Sequence, residues 1–119
     1  MIQRDALNRF CRLLEDSPVI AAIKDESGLE QCLQSECQII FILYGTICNI
    51  GEIVSRIHTA GKFAVIHLDL VDGLSPREIS VDFIRRNTEA DGIISTRPNI
   101  IRYARQAGLL AIQRFFIID

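Results

Sequence analysis

The feature of this sequence that most constrains its fold is a repeated alternation of short apolar runs with amphipathic stretches. Strand-sized apolar runs recur at intervals of roughly 20 to 25 residues, at residues 19–23, 39–44, 63–69, 91–95 and 111–118. The stretches between them show helical periodicity and helix-start signals, such as Asn49 before the second and Ser75 with Pro76 before the third. Strands joined through helices form a parallel sheet, because each crossover returns the chain to the same sheet end.

A parallel sheet of this kind closes as an open doubly wound sheet or as a (β/α)8 barrel. A doubly wound nucleotide-binding fold would favour a glycine-rich phosphate loop after its first strand. Residues 24–28 read KDESG instead, with neither a GxGxxG nor a GKS pattern. Periodicity alone leaves both closures open, and the missing loop favours an α/β barrel. A helix with an apolar face from Ile2 to Leu14 is predicted ahead of the first strand.

The composition is that of a core-forming protein. With 119 residues, 49% of them apolar and 24% charged, we expect one globular domain covering residues 1–119. The longest apolar runs, residues 39–44 and 115–118, are far shorter than the roughly 20 residues that cross a bilayer. The first residues lack the continuous apolar stretch of a secretory signal, which predicts a cytoplasmic protein. The four cysteines form no CxxC pair, so reduced thiols are expected.

The charge distribution is uneven along the chain. A net charge of −2 gives no overall attraction for nucleic acid. However, residues 1–75 carry six Lys/Arg against ten Asp/Glu, whereas residues 76–119 carry seven Arg against five acids. Arginines 85, 86, 102 and 105 fall on predicted helices, where they either contact nucleic acid or only aid solubility.

Polar residues follow the predicted strands, and in parallel βα folds the functional site forms where strands end. Lys24 with Asp25 is either a cation for an anionic ligand with a neighbouring acid, or a solvated turn with a helix cap. His67 and Asp69 are two residues apart, so on a strand they would share one face and point into the barrel mouth. The alternative is a core histidine paired with a hydroxyl or carboxylate. A metal site is disfavoured, because no third ligand stands at a defined spacing.

Two further groups complete the candidate site. Residues 95–97, Ser-Thr-Arg, precede a helix opened by Pro98, where hydroxyls, amides and a guanidinium favour an anion, although a simple helix cap is the alternative. Gln113 and Arg114 lie in a strongly apolar strand. We therefore expect a buried Arg114 that faces a cavity or pairs with Asp25, Asp69 or Asp119.

Three segments together resemble the glycerol-3-phosphate responsive antiterminator family: PVIAAIKDESGLE, FAVIHLDLVDGLS and ADGIISTRPNIIRYARQAGLLAIQRFFIID. The resemblance extends from about Ser17 to Asp119. It implies a (β/α)8 TIM-type barrel that senses glycerol 3-phosphate and binds the leader mRNA of glycerol-utilisation genes, so that polymerase passes a terminator. It also implies a regulator, with no catalytic residue, metal or cofactor, and a homo-oligomer. The short apolar runs predict no membrane partner.

By motif, the resemblance implies a set of effector-binding residues: Lys24, Asp25, His67, Asp69, Thr96, Arg97, Gln113 and Arg114. Lys24 and the arginines would neutralise phosphate, and the acids would accept hydrogen bonds from hydroxyls. Family members continue for several more βα units, so the resemblance implies an incomplete barrel of about five units. Two alternatives stay open: an inactive truncated remnant, and a barrel enzyme that uses strand-end lysine and aspartate on a phosphorylated small molecule.

Overall fold

The structure is a computed structural model that describes residues 2–16 and 19–115, and of residues 2–4 it describes the backbone alone. A leading helix is followed by strands and helices in strict alternation. The helices are α1 (Ile2–Asp16), α2 (Glu26–Leu33), α3 (Ile50–Thr59), α4 (Glu78–Asn87) and α5 (Pro98–Gln106). The strands are β1 (Ile20–Ile23), β2 (Ile39–Ile42), β3 (Phe63–His67), β4 (Gly92–Ser95) and β5 (Leu110–Gln113), and a 3-10 turn at Leu68–Leu70 follows β3.

The strands form one parallel sheet in the order β1-β2-β3-β4-β5. A doubly wound sheet would reverse its strand order at a switch point and carry helices on both faces. Here the order follows the chain, and α2 to α5 all contribute to the core on one face. The fold is therefore of the (β/α)8 barrel type, with four βα units and a fifth strand in the described residues.

Alternating strand residues divide the core between the two faces of the sheet. The outer core joins strand residues to the helices and includes Ile40, Ile42, Ala64, Ile66, Ile93, Leu29, Ile57, Ile84 and Ile100. The inner core contains Ile39, Phe63, Val65, Ile94 and Leu110, packed against Ala6, Phe10, Leu13 and Leu14 of α1. The leading helix thus covers part of the face that lies inside a barrel.

The Asp91 carboxylate holds elements together at the amino edge of the sheet, just before β4. It accepts a hydrogen bond from the Ala64 amide (2.9 Å) and another from Arg9 of α1 (3.1 Å). His58 Nε2 of α3 lies 2.8 Å from the same carboxylate. The Arg9 guanidinium also lies over the Phe63 ring, 5.1 Å from its centre, so this one residue links α1 to the sheet by charge and by packing.

The element types follow the sequence-based predictions, whereas several boundaries differ. The helix predicted to begin with Ser75 as cap and Pro76 as first residue begins instead at Glu78. Arg77 still has an extended backbone (φ −128°, ψ 157°), and the Ser80 hydroxyl donates to the Ser75 carbonyl at 2.6 Å. The third strand ends at His67 rather than residue 69, because the chain turns into the 3-10 turn. Residues 116–118 of the predicted fifth strand lie outside the described residues. None of the helices described is both long and apolar enough for a membrane crossing.

Candidate functional site

The candidate site residues all follow strands at one edge of the sheet. Because the strands are parallel and pair in register, their carboxyl ends meet there. Lys24 and Asp25 follow β1, His67 ends β3, Thr96 and Arg97 follow β4, and Gln113 ends β5 with Arg114 next. The backbone therefore brings these residues to one edge of the sheet. Their side chains, however, do not form one connected group.

The Asp69 carboxylate binds the end of the neighbouring strand. It accepts hydrogen bonds from the Ser95 hydroxyl (2.8 Å), the Thr96 amide (2.9 Å) and the Thr96 hydroxyl (3.0 Å). Burial by itself raises the pKa of Asp69, but these hydrogen bonds outweigh it and hold the pKa below its ordinary value. The predicted shared strand face of Asp69 with His67 is wrong, since Asp69 lies in the 3-10 turn and points to the end of β4.

His67 lies 3.2 Å from the Arg114 guanidinium, measured from Nε2 to Nη1. The histidine is 2% exposed, and its Nδ1 has no hydrogen-bond partner among the described residues. Burial lowers the pKa of His67 below its ordinary value. The Asp69 carboxylate opposes this shift and the Arg114 guanidinium adds to it. The histidine is therefore neutral near pH 7.

Arg114 itself departs from the expectation drawn from its sequence. The prediction of a buried arginine is wrong, because the strand ends at Gln113 and the Arg114 side chain is exposed. Its described contact is with His67 rather than with Asp25 or Asp69. Asp119, the third expected partner, lies outside the described residues. Arg114 does line a cavity at this edge of the sheet, which was the other part of the expectation.

A cavity of about 310 Å³ opens on the inner face of the sheet below these groups. Its wall is apolar and includes Phe41, Leu43, Ile94 and Ile112, and its polar lining consists of His67, Gln113 and Arg114. Sequence reasoning missed the wall residues. Strand alternation was the available signal, because Phe41, Ile94 and Ile112 lie at strand positions that share the inner face.

The remaining predicted residues have simpler contacts. Asp25 is the cap of α2, and its carboxylate accepts a hydrogen bond from the Gly28 amide at 2.8 Å. The Arg97 amide donates to the Ser95 hydroxyl at 3.1 Å, while the Arg97 side chain is exposed, as is Lys24. The structure thus joins Asp69 to Thr96, and His67 to Arg114. No side-chain hydrogen bond within residues 2–16 and 19–115 adds Lys24, Asp25 or Arg97 to either group.

The sequence model of one protein family, described as "Glycerol-3-phosphate responsive antiterminator", matches residues 19–119. The chain belongs to this antiterminator family. The predicted resemblance is therefore confirmed, and the family description supports a role in regulation. The matched region includes both residue pairs joined at the carboxyl edge, Asp69 with Thr96 and His67 with Arg114.

Relatives of this antiterminator-family chain are longer than the chain. It is 50% identical over 107 residues to "Uncharacterized protein YgcP" of Escherichia coli (strain K12), covering 90% of this chain and 56% of that protein. The crystal structure of a glycerol uptake operon antiterminator regulatory protein from Listeria monocytogenes str. 4b F2365 superposes with a TM-score of 0.80 at 35% identity, over 84% of this chain and 54% of that one. A glycerol uptake operon antiterminator-related protein from Thermotoga maritima MSB8 gives 0.75 at 29% identity, over 84% and 56%. The chain spans about half the length of these relatives.

Proposed function

We propose that this chain is part of a cytoplasmic transcription regulator that senses glycerol 3-phosphate and acts on the leader mRNA of glycerol-utilisation genes. The observation that carries the proposal is the His67–Arg114 contact at the polar end of the cavity, in a chain of the antiterminator family. A guanidinium is well suited to a phosphate, because its planar donors match two phosphate oxygens. The site proposed is thus a binding site for an effector.

The geometry refines which residues would contact the effector. Asp69 already accepts three hydrogen bonds and Asp25 caps a helix, so both support the site rather than serve the ligand. Arg114 would hold the phosphate, with Lys24 and Arg97 adding positive charge from the two sides of the same edge. Gln113 would hydrogen-bond the glycerol hydroxyls. A cavity of about 310 Å³ lies at the small end of the ~300–1,000 Å³ usual for ligand pockets, which suits a three-carbon metabolite.

Removing the Arg114 charge should weaken effector binding. In Arg114→Gln, the Kd for glycerol 3-phosphate is expected to rise by about tenfold or more, because a charged hydrogen bond is worth about 1.5–3 kcal/mol and about 1.4 kcal/mol corresponds to tenfold. Isothermal titration of the 119-residue chain measures this change. Arg102→Gln on α5, also exposed, is the matched control and should bind as the wild type does. Glycerol, which lacks the phosphate, should bind neither variant. Equal affinities for the two variants would exclude Arg114 from the site.

The regulatory part of the proposal requires that effector binding changes RNA affinity, because an effector acts by favouring one of two protein states. Coupling between two sites is typically about 5- to 150-fold. We therefore expect the affinity for a glycerol-operon leader RNA, measured by fluorescence anisotropy, to change at least about fivefold on adding glycerol 3-phosphate. Arg114→Gln should bind the RNA without that response. An unchanged wild-type affinity would exclude the switch, and no RNA binding at all would exclude antitermination. A homodimer is the oligomeric state we propose for the active form.

A further inference from the structure

The hydrogen bond between Arg114 and His67 determines which nitrogen of the histidine carries the proton. A guanidinium has only donors and stays protonated in proteins. At 3.2 Å from Arg114, Nε2 must therefore be the acceptor, so the proton of the neutral ring is on Nδ1. The ligand-free arrangement thus contains one neutral tautomer.

This tautomer leaves the site incompletely satisfied. The Nδ1–H group is buried and has no hydrogen-bond partner among the described residues. An unpaired buried donor is costly, and a native protein tolerates one chiefly where function requires it. His67 also lines the cavity with Arg114, which places this unsatisfied ring next to the proposed phosphate position. In the ligand-free arrangement the Arg114 guanidinium therefore occupies the Nε2 lone pair beside the cavity.

The charged groups around His67 act in opposite directions. Arg114, after β5, opposes a positive charge on the ring, and Asp69, after β3, favours one. The strand ends on either side contribute no charge, since Ser95 ends β4 and Leu43 follows β2. Lys24, after β1, and Arg97, two residues after Ser95, are the other cations of this edge. Asp69 is fixed by Ser95 and Thr96, whereas Arg114 contacts the ring directly, so a ligand of Arg114 changes this balance.

We infer that His67 takes up a proton when a doubly charged tetrahedral oxyanion, such as a phosphate monoester, binds beside Arg114. The anion draws the guanidinium hydrogen bond away from Nε2, and the exposed lone pair accepts a proton from the buffer. His67 then donates from Nε2 to the anion, and the net charge of the site changes by one proton. This inference rests on the proposed function, because it concerns the same site. It makes His67 the residue that distinguishes dianions from singly charged diesters.

The sign of the pH dependence follows from the two states. The pKa of His67 is below its ordinary value without ligand and rises when the anion is bound, so binding must strengthen as pH falls between the two values. Sulfate is the suitable probe, because it keeps its double charge across this range whereas phosphate esters titrate near pH 6. Sulfate affinity should rise by up to about tenfold per pH unit over this range.

Proton NMR of the wild-type chain tests the inference directly. The chain has two histidines, and His58→Gln and His67→Gln assign their ring signals. Saturating sulfate or glycerol 3-phosphate should raise the pKa of His67 by about one unit or more, equivalent to tenfold in protonation. His58 contacts Asp91 at the opposite edge of the sheet, so its ring signals are the internal control. Calorimetric titration with sulfate, in two buffers of different ionisation enthalpy, should show proton uptake by the wild type and none by His67→Gln.

The outcomes separate this inference from the proposed function. Binding of glycerol 3-phosphate with an unchanged His67 pKa and no proton uptake would overturn the inference and leave the effector site standing. Equal affinity for a phosphate monoester and its singly charged methyl diester would also count against it. Absence of any anion binding would overturn both. The wild-type measurement decides even if His67→Gln fails to fold.

Discussion

Replacing Asp69 with alanine is expected to lower the free energy of unfolding by about 2–4 kcal/mol, because buried donors left unpaired cost about 1–3 kcal/mol each without strict additivity. The Ser95 hydroxyl is fully buried, and the Thr96 amide also loses its acceptor. Urea denaturation followed by circular dichroism measures the loss. Asp72→Asn is the matched control, because Asp72 lies nearby and only its backbone makes hydrogen bonds in the described structure. A free energy of unfolding for Asp69→Ala within about 0.5 kcal/mol of the wild type, the usual range of a neutral surface substitution, would contradict this account.

The Asp69 effect should also depend on pH in a defined direction. The pKa of Asp69 is below its ordinary value in the folded state, so its carboxylate stabilises the fold above the unfolded pKa of about 3.9. This contribution is lost as pH falls through the folded pKa. The difference between wild type and Asp69→Asn should therefore be constant from about pH 5 upward and shrink in acid. A difference that grows below pH 4 would assign the stabilisation to another group.

Replacing Gly92 with alanine is expected to destabilise the fold by about 2–3 kcal/mol, in the range seen for overpacked cores. A Cβ at this position would lie 2.7 Å from the Leu110 carbonyl oxygen and 2.9 Å from the Leu110 Cβ, so the backbones of β4 and β5 must separate. Because β5 leads directly to Arg114, effector binding should weaken as well. Urea denaturation and hydrogen exchange of the β5 amides measure the two effects.

Gly28→Ala is the matched control for Gly92→Ala. Its added Cβ would lie 3.3 Å from the Asp25 carboxylate oxygen, which can shift, and alanine favours the helix by up to about 1 kcal/mol. We expect a change within about 0.5 kcal/mol, as for a tolerated surface substitution. If Gly92→Ala were equally well tolerated, close strand packing at β4 would not explain the glycine there.

The layout of the fold could be predicted from the sequence because it depends on periodicity. Each strand of the sheet coincides with an apolar run, and Asp25 and Pro98 begin their helices where their backbone chemistry predicts. The start of α4 could not be predicted in this way. Ser75 and Pro76 favour a helix start locally, but the chain remains extended at Arg77 before the helix begins.

The candidate site was predictable in position but not in contacts. Strand ends identify the edge at which Lys24, His67 and Arg114 lie, since this follows from parallel topology. The partners of Asp69 and Arg114 depend on how neighbouring strand ends approach each other in three dimensions. The 3-10 turn directs Asp69 to Ser95 rather than into the cavity, and local sequence spacing carries no information on that turn. Contacts between residues 47 positions apart, such as His67 with Arg114, arise only from strand order.

The leading helix has a practical consequence for any fragment of this protein. The family match starts at residue 19, whereas Phe10, Leu13 and Leu14 of α1 pack on the inner face beside Ile39 and Phe63. A gene fragment cut at the edge of the match would encode all the strands described above but would lack this helix on the inner face of the sheet. Its product would expose this apolar surface and aggregate, which would be a loss of solubility unrelated to effector or RNA binding.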